Sequence, residues 1–278
     1  MHPELVNFPL FGKTFTIYTY GTLIVIAFLV AAWWTRRAAE RSLGLDRERV
    51  FNVGFALLFL GIAGARMVHA LAHYAEFSQV PMKFIKVWEG GLNGYGGVVA
   101  ALLWLWWWLP RHPEMKGFAL LDVLVRGFTL AFAVGWLAPL LAGDDFGKVT
   151  SLPWGIPVSV FEAGTPAASY GWRDPLSRIH PTQVYEGLFA LVLFFALSPL
   201  SRRGWRAGRL AGLGLMAHAV GHALLDLTRG DEARGMIVPG VLSTSQLLAI
   251  AVFFGGLALW VIRAPERHPS AAKRAPAA

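Results

Sequence analysis

The stretch FALLDVLVRGFTLAFAVGWLAPLLA, Phe118 to Ala142, decides the fold class. Only Asp122 and Arg126 are charged in it, and about 20 mostly apolar residues suffice to cross the hydrocarbon core of a bilayer. Six further segments read the same way: Tyr18 to Thr35, Val50 to Ala72, Leu92 to Leu109, Val184 to Leu200, Leu210 to Leu227 and Gln246 to Ile262. The expectation is an all-α polytopic integral membrane protein of about seven transmembrane helices. Composition agrees, since the 278 residues are 55% hydrophobic and 15% charged, with a mean hydropathy of +0.50. A soluble domain would carry about a quarter charged residues. Twelve Trp and nineteen Phe suit a chain that meets the bilayer interface. With no cysteine, disulfides, thiolate catalysis and Cys-based metal sites are excluded. The first residues lack the pattern of a cleavable signal peptide.

The net charge of +8 raises the question of nucleic acid. The basic residues are instead spread over short loops between apolar runs, so no nucleic-acid partner is expected. Alternate loops hold 15 and 8 Lys or Arg. By the positive-inside rule the N-terminus lies outside and the C-terminus in the cytoplasm. Residues 1–264 read as one transmembrane domain with an extracytoplasmic loop at about 143–183. Residues 265–278 read as a disordered cytoplasmic tail, polar and rich in Ala and Pro. So long a loop usually carries function or a small subdomain of its own. No internal repeat is present, which gives an inverted-repeat transporter little support.

A charged side chain at membrane depth is costly unless paired or facing a polar cavity. Arg66 lies in Gly61-Ile-Ala-Gly-Ala-Arg, with His69 and His73 after it; it either holds a lipid phosphate or bonds to carbonyls. Trp88-Glu-Gly-Gly-Leu-Asn-Gly-Tyr-Gly-Gly97 brings five glycines to an interface, where Gly96 and Gly97 admit a headgroup, pack helices closely, or do both. His218, His222 and Asp226 follow at spacings of four on one helical face. They can relay protons, with Asp226 fixing the tautomer of His222, bind a metal, or simply bond between helices. Asp122 and Arg126 at spacing four read as an intrahelical ion pair. His180-Pro-Thr-Gln-Val-Tyr-Glu186 reads as a helix entrance that lines a site.

In this order these pieces resemble the prolipoprotein diacylglyceryl transferase family of the bacterial inner (cytoplasmic) membrane. The likeness runs from about Tyr18 to Leu247. It rests on Ile17-Tyr-Thr-Tyr-Gly-Thr, Gly64-Ala-Arg66, the Trp88–Gly97 stretch and Leu152-Pro-Trp. Arg178-Ile-His-Pro-Thr-Gln-Val-Tyr-Glu, Arg229-Gly-Asp and Leu242-Ser-Thr-Ser-Gln-Leu complete it. The resemblance implies transfer of a diacylglyceryl group from phosphatidylglycerol, or another phospholipid, to a cysteine thiol in a prolipoprotein signal peptide. No cofactor is implied. Arg66, Arg229, Gly96, Gly97 and Tyr20 would hold lipid phosphate. His222, Asp226, Tyr95 and His218 would be catalytic, with Asp144, Gly147 and Glu186 lining the site.

The chain departs from the family at charged positions. Where the family signature reads Gly-Arg-x-Gly-Asn-Phe-x-Asn-Gly-Glu, this chain has Gly135-Trp-Leu-Ala-Pro-Leu-Leu-Ala-Gly-Asp144. Trp136 thus stands for an arginine and Pro139 for an asparagine. Tyr95 stands where the family usually has a histidine, and His218-x-x-x-His222-x-x-x-Asp226 replaces Tyr-x-x-x-Arg-x-x-x-Glu. An arginine is always charged and bidentate, whereas a histidine is mostly neutral at pH 7. Two alternatives therefore stand beside transfer: a lipid- or lipoprotein-binding paralogue without activity, and a metal-dependent intramembrane enzyme using His218, His222 and Asp226. No other metal site is expected.

Overall fold

A computed structural model describes residues 4–10, 13–86, 91–170, 172, 174, 176–231, 235–238 and 241–261. The tail at 265–278 and Trp88 to Gly90 lie outside them. The chain enters through an antiparallel hairpin, β1 (Glu4–Leu10) and β2 (Lys13–Tyr18), and passes straight into α1 (Thr19–Leu43). Next come α2 (Arg47–Ala72), the short α3 (Tyr74–Gln79) and α4 (Gly94–Trp108). The fourth expected span is α5 (Gly117–Gly135) followed by α6 (Leu137–Ala142), with a break at Trp136. The long loop contributes β3 (Ile156–Pro157), α7 (Pro166–Ser169) and β4 (Arg178–Ile179). Then follow α8 (Thr182–Leu200), α9 (Arg209–Leu225), a small hairpin of β5 (Met236–Val238) and β6 (Leu242–Ser243), and α10 (Thr244–Val261).

Six of these helical stretches are long and apolar enough to cross a membrane: α1, α2, α5 with α6, α8, α9 with its terminal turn, and α10. The chain is a multi-pass membrane protein. The third expected span, α4, is shorter. Asn93 caps its start by accepting from the Gly96 amide at 3.3 Å, and Pro110 tightens its end into a 3-10 turn over Leu109–Arg111. Its 15 residues rise only about 22 Å.

The long helices close a ring in the order α1, α2, α4, α10, α9, α5 and back to α1, with α8 packed against α5 and α9. Between α2 and α4 the closure is backbone on backbone. A Cβ at Gly97 would stand 2.6 Å from the Gly61 carbonyl oxygen, and one at Gly96 2.6 Å from that of Gly64. The Gly-rich stretch therefore serves helix packing. At one end of the bundle a core forms around Leu43, Val50, Leu105, Met115, Leu120 and Val123. At the other end the long loop folds over its own small core of Phe146, Val158, Phe161, Ala167 and Ile179.

The expected Asp122–Arg126 ion pair does not form. Both Asp122 carboxylate oxygens accept backbone amides at the start of α9, from Gly208 at 2.9 Å and Ala211 at 2.7 Å. The first amides of a helix have no partner within it and carry its positive dipole end, so they outcompete the arginine for this carboxylate. Arg126 Nε donates instead to the Asp122 carbonyl at 3.1 Å.

Candidate active site

His218 and His222 sit one turn apart on α9, both buried. The helix ends at Leu225 and tightens into a 3-10 turn over Asp226–Thr228. That change of pitch takes Asp226 off the expected stripe. Its carboxylate accepts from Ser243 Oγ at 2.9 Å, at the entrance of α10, so it does not set the His222 tautomer. Glu186 of α8 is the carboxylate that meets His222, with Oε1 at 2.7 Å from Nδ1. The distance is that of a charge-assisted pair, although the ring is turned off the ideal hydrogen-bond direction. Glu186 is 1% exposed, so this contact lies in an apolar setting that magnifies it.

The surroundings are aromatic. The Tyr95 ring of α4 lies 4.5 Å from that of His222. His218 is boxed by Phe132 at 4.6 Å and Phe128 at 4.9 Å, both edge-on from α5. Trp136 is itself buried and packs on Phe132 at 6.2 Å. The indole in the place of the family's arginine thus extends an aromatic wall. The Tyr95 hydroxyl, both His218 nitrogens and His222 Nε2 are buried without a hydrogen-bond partner among the described residues. Buried polar atoms are nearly always satisfied, so such a cluster marks a place built to meet polar groups of a ligand. Among the described residues no three His, Asp or Glu side chains form a group that could hold a metal ion.

Arg229 forms a second part of the site, beyond the end of α9. It grips Asp231 with two bonds, Nε to Oδ1 at 2.9 Å and Nη2 to Oδ2 at 2.6 Å, and Nη2 also pairs with Asp145. Asp145 takes a left-handed φ of 52°, unusual for a residue with a side chain, and its neighbours hold it there. Thr182 Oγ1 donates to the Asp145 carbonyl at 2.6 Å, and Gln183 Nε2 donates to that of Asp144 at 2.6 Å. Gly147 is wedged between chain segments: a Cβ there would lie 2.3 Å from the His180 carbonyl oxygen. The Lys148 amide donates to Thr228 O at 2.8 Å, and that of Gly230 to Phe146 O at 3.0 Å. Tyr20, in the first turn of α1, lies within the electrostatic reach of Asp144, Asp145 and Arg229.

Two carboxylates, those of Asp145 and Asp231, thus contact one guanidinium, and Asp144 and Asp226 act on it at longer range. Burial alone would lower the Arg229 pKa, but Asp145 and Asp231 overcome it and hold the pKa well above the ordinary value. Burial pushes Asp145 up to about 7 against the pull of Arg229, with Asp144 and Asp231 adding to the rise. Asp144 is raised too, chiefly by burial. The expected Arg66 is placed differently. Its guanidinium donates to the carbonyls of Phe84 at 3.2 Å, Gly91 at 2.9 Å, Lys86 at 3.1 Å and Lys83. It anchors the segment between α3 and α4, the carbonyl-bonding alternative of the two readings for this residue. Gly96 and Gly97 are buried by the close approach of α2, as the packing reading of these glycines has it.

The structure therefore brings together His222, Tyr95, His218 and Glu186, and separately Arg229, Asp144, Gly147 and Tyr20. Asp226 adjoins both, acting electrostatically on Tyr95 and on Arg229. Asp145, Asp231 and Ser243 are additions. The Asp144-Asp145 doublet and the Arg229-Gly-Asp231 run carried a signal for the first two.

Comparison with known proteins agrees with this arrangement. The family model described as prolipoprotein diacylglyceryl transferase matches residues 7–262. The chain is 29% identical over 268 residues to the phosphatidylglycerol–prolipoprotein diacylglyceryl transferase of Shewanella oneidensis, covering 93% of this chain and 92% of that one. It is 31% identical over 244 residues to the protein of the same name from Vibrio vulnificus, covering 86% and 84%. The Chromohalobacter salexigens protein of that name is 29% identical over 260 residues, covering 90% of each.

Proposed function

Because the chain belongs to the prolipoprotein diacylglyceryl transferase family, we propose that it transfers the diacylglyceryl group of phosphatidylglycerol to the cysteine thiol of a prolipoprotein signal peptide. The reaction takes place in the bacterial inner membrane, with the 143–183 loop on the outer side. A bond forms between the thiol sulfur and the glyceryl carbon, the bond from that carbon to the phosphate oxygen breaks, and glycerol phosphate departs. The thiol proton must be taken up, and the leaving phosphate must be held.

The observation that carries this reading is the buried His222–Glu186 pair at 2.7 Å. His222 Nδ1 lies 2.7 Å from Glu186 Oε1, and a turn of the ring into line would place its proton there and offer Nε2 as a base. The same carboxylate stabilises the imidazolium once the proton arrives. Tyr95 orients the ring through a tilted aromatic contact at 4.5 Å. His218, in its aromatic box, supports the α9 side of the site. Arg229 and Tyr20 receive the phosphate at the outer mouth, where Asp145, with a side chain 27% exposed, is the partner that a phosphate displaces. The Trp136 wall replaces a charge with a surface fit for the diacyl portion. The test is complementation of a cell depleted of its own diacylglyceryl transferase, together with transfer of labelled diacylglyceryl to a signal peptide by purified protein. Failure of both ends the proposal.

One observation favours a second reading, a member that binds lipid without turning it over. Both Arg66 and Arg229 are already engaged by protein acceptors. On that reading phosphatidylglycerol binds, no label moves, and His222→Ala leaves binding unchanged.

A further inference from the structure

We infer that the end of the bundle remote from Arg229 carries a second lipid site, which receives the phosphate headgroup of an anionic phospholipid. A cavity of about 570 Å³ opens there, lined by Trp33, Trp34, Arg37 and Arg41 of α1, Arg126 of α5 and Arg202 beyond α8, with Ser42 and Ser201 completing the wall. Its separation from the candidate active site follows from the helices themselves. Tyr20 and Arg37 lie at opposite ends of α1, about 25 Å apart by helical rise. On α8, Glu186 sits in the second turn, whereas Ser201 follows the last.

Among the described residues, four arginines and no acidic side chain line the cavity. The carboxylate nearest to Arg126 in sequence, Asp122, is fully engaged by the α9 amides. Arg126 is buried, and its contacts are with neutral groups: the Asp122 carbonyl, Ser201 Oγ at 3.2 Å and the Trp34 ring at 5.1 Å. A buried cation hydrogen-bonded only to neutral groups, with the Asp122 carboxylate acting on it at longer range and a cavity ringed by more cations before it, calls for an anion from outside the chain. The two tryptophans indicate where that anion comes from. Trp33 is 47% exposed with Arg37 stacked 4.2 Å over it, and aromatic rings beside arginines at a helix end mark headgroup depth. A basic pocket between transmembrane helices at that depth takes lipid phosphate, whereas a soluble anion would have no use for the apolar rim.

The test uses the full chain in detergent with equimolar dioleoyl phosphatidylserine and dioleoyl phosphatidylcholine, counting retained lipids by native mass spectrometry. Phosphatidylserine is chosen because it is not the proposed diacylglyceryl donor. The unmodified protein should retain it over phosphatidylcholine by at least about tenfold, and 0.5 M NaCl should abolish the preference. The variant R37Q/R41Q/R202Q alters exposed or half-exposed side chains, so its fold should persist, and it should lose the preference. The variant H222A should keep it. Equal retention of the two lipids by the unmodified protein, or an unchanged preference in the triple variant, overturns the proposal. Thermal stabilisation by inorganic phosphate equal to that by the lipid assigns the pocket to a soluble anion and overturns the lipid source.

Discussion

Arg229 and Arg126 are both buried, 6% and 8% exposed, and the two ends of the bundle treat them in opposite ways. At one end the chain supplies carboxylates in excess and fixes the guanidinium with bidentate geometry. At the other it supplies carbonyl, hydroxyl and indole, and leaves the charge to a cavity. The neutralised arginine is built for rigidity, and a ligand gains access to it only by replacing an existing partner. The other is built for exchange. The comparison shows why a charged residue in a membrane span cannot be assigned a role from its position alone. Its role depends on which acceptors the neighbouring helices have left available.

The sharpest way to break the assignment of chemistry to the Arg229 end is His222→Ala. Transfer should fall about 10²- to 10⁴-fold in the label assay, the usual contribution of a positioned base; a loss of only a few-fold would remove His222 from the reaction. Next, the two arginines can be compared directly by thermal unfolding in detergent. Arg229→Met should destabilise by about 3–5 kcal/mol, because it strands the buried Asp231 and leaves the half-buried Asp145 without its cation. Arg126→Met strands no carboxylate and should change stability by less than about 1 kcal/mol. Equal losses at both sites would erase the contrast. A smaller effect comes from Asp122→Asn, which removes the charge from two amide contacts and should cost about 2 kcal/mol.

The smallest expected effect is a pH dependence. Folding raises Asp145 from the ordinary carboxylate range to about 7. A raised carboxyl favours the folded state below about pH 4, and that contribution is lost as pH rises through about 7. Solvent reaches its 27% exposed side chain, which limits the change to about 1 kcal/mol. Asp145→Asn should flatten the melting temperature across this window.

The membrane helices were legible in the sequence because length and apolar content suffice to call for them. Their ends shifted by a few residues where caps and turns decide. Helix α1 runs on to Leu43, past Arg36 and Arg37, and α4 starts at Gly94 because Asn93 caps it. The β1–β2 hairpin carried no apolar signal of this kind. Spacing along one helix correctly put His218 and His222 on a common face. It could not supply Glu186, which arrives from another helix, nor foresee that the final turn of α9 changes pitch and carries Asp226 to Ser243. The Asp122–Arg126 pair was misread for the same reason. Spacing of four permits a bond, but the amides of α9 compete for the same oxygens and are invisible until the helices are packed.

The loop between α6 and α8 joins a tightly held base to an open crown. Gly147 is clasped between the backbones of His180 and Gly230, where even a methyl group would collide. Leu176, farther along the same loop, is 82% exposed. The sequence contains no cysteine, so Leu176→Cys would give a single thiol on a surface apart from the clasp. Reaction of that thiol with a membrane-impermeant maleimide in intact cells would report which face of the membrane the crown occupies, and with it the direction in which every helix runs.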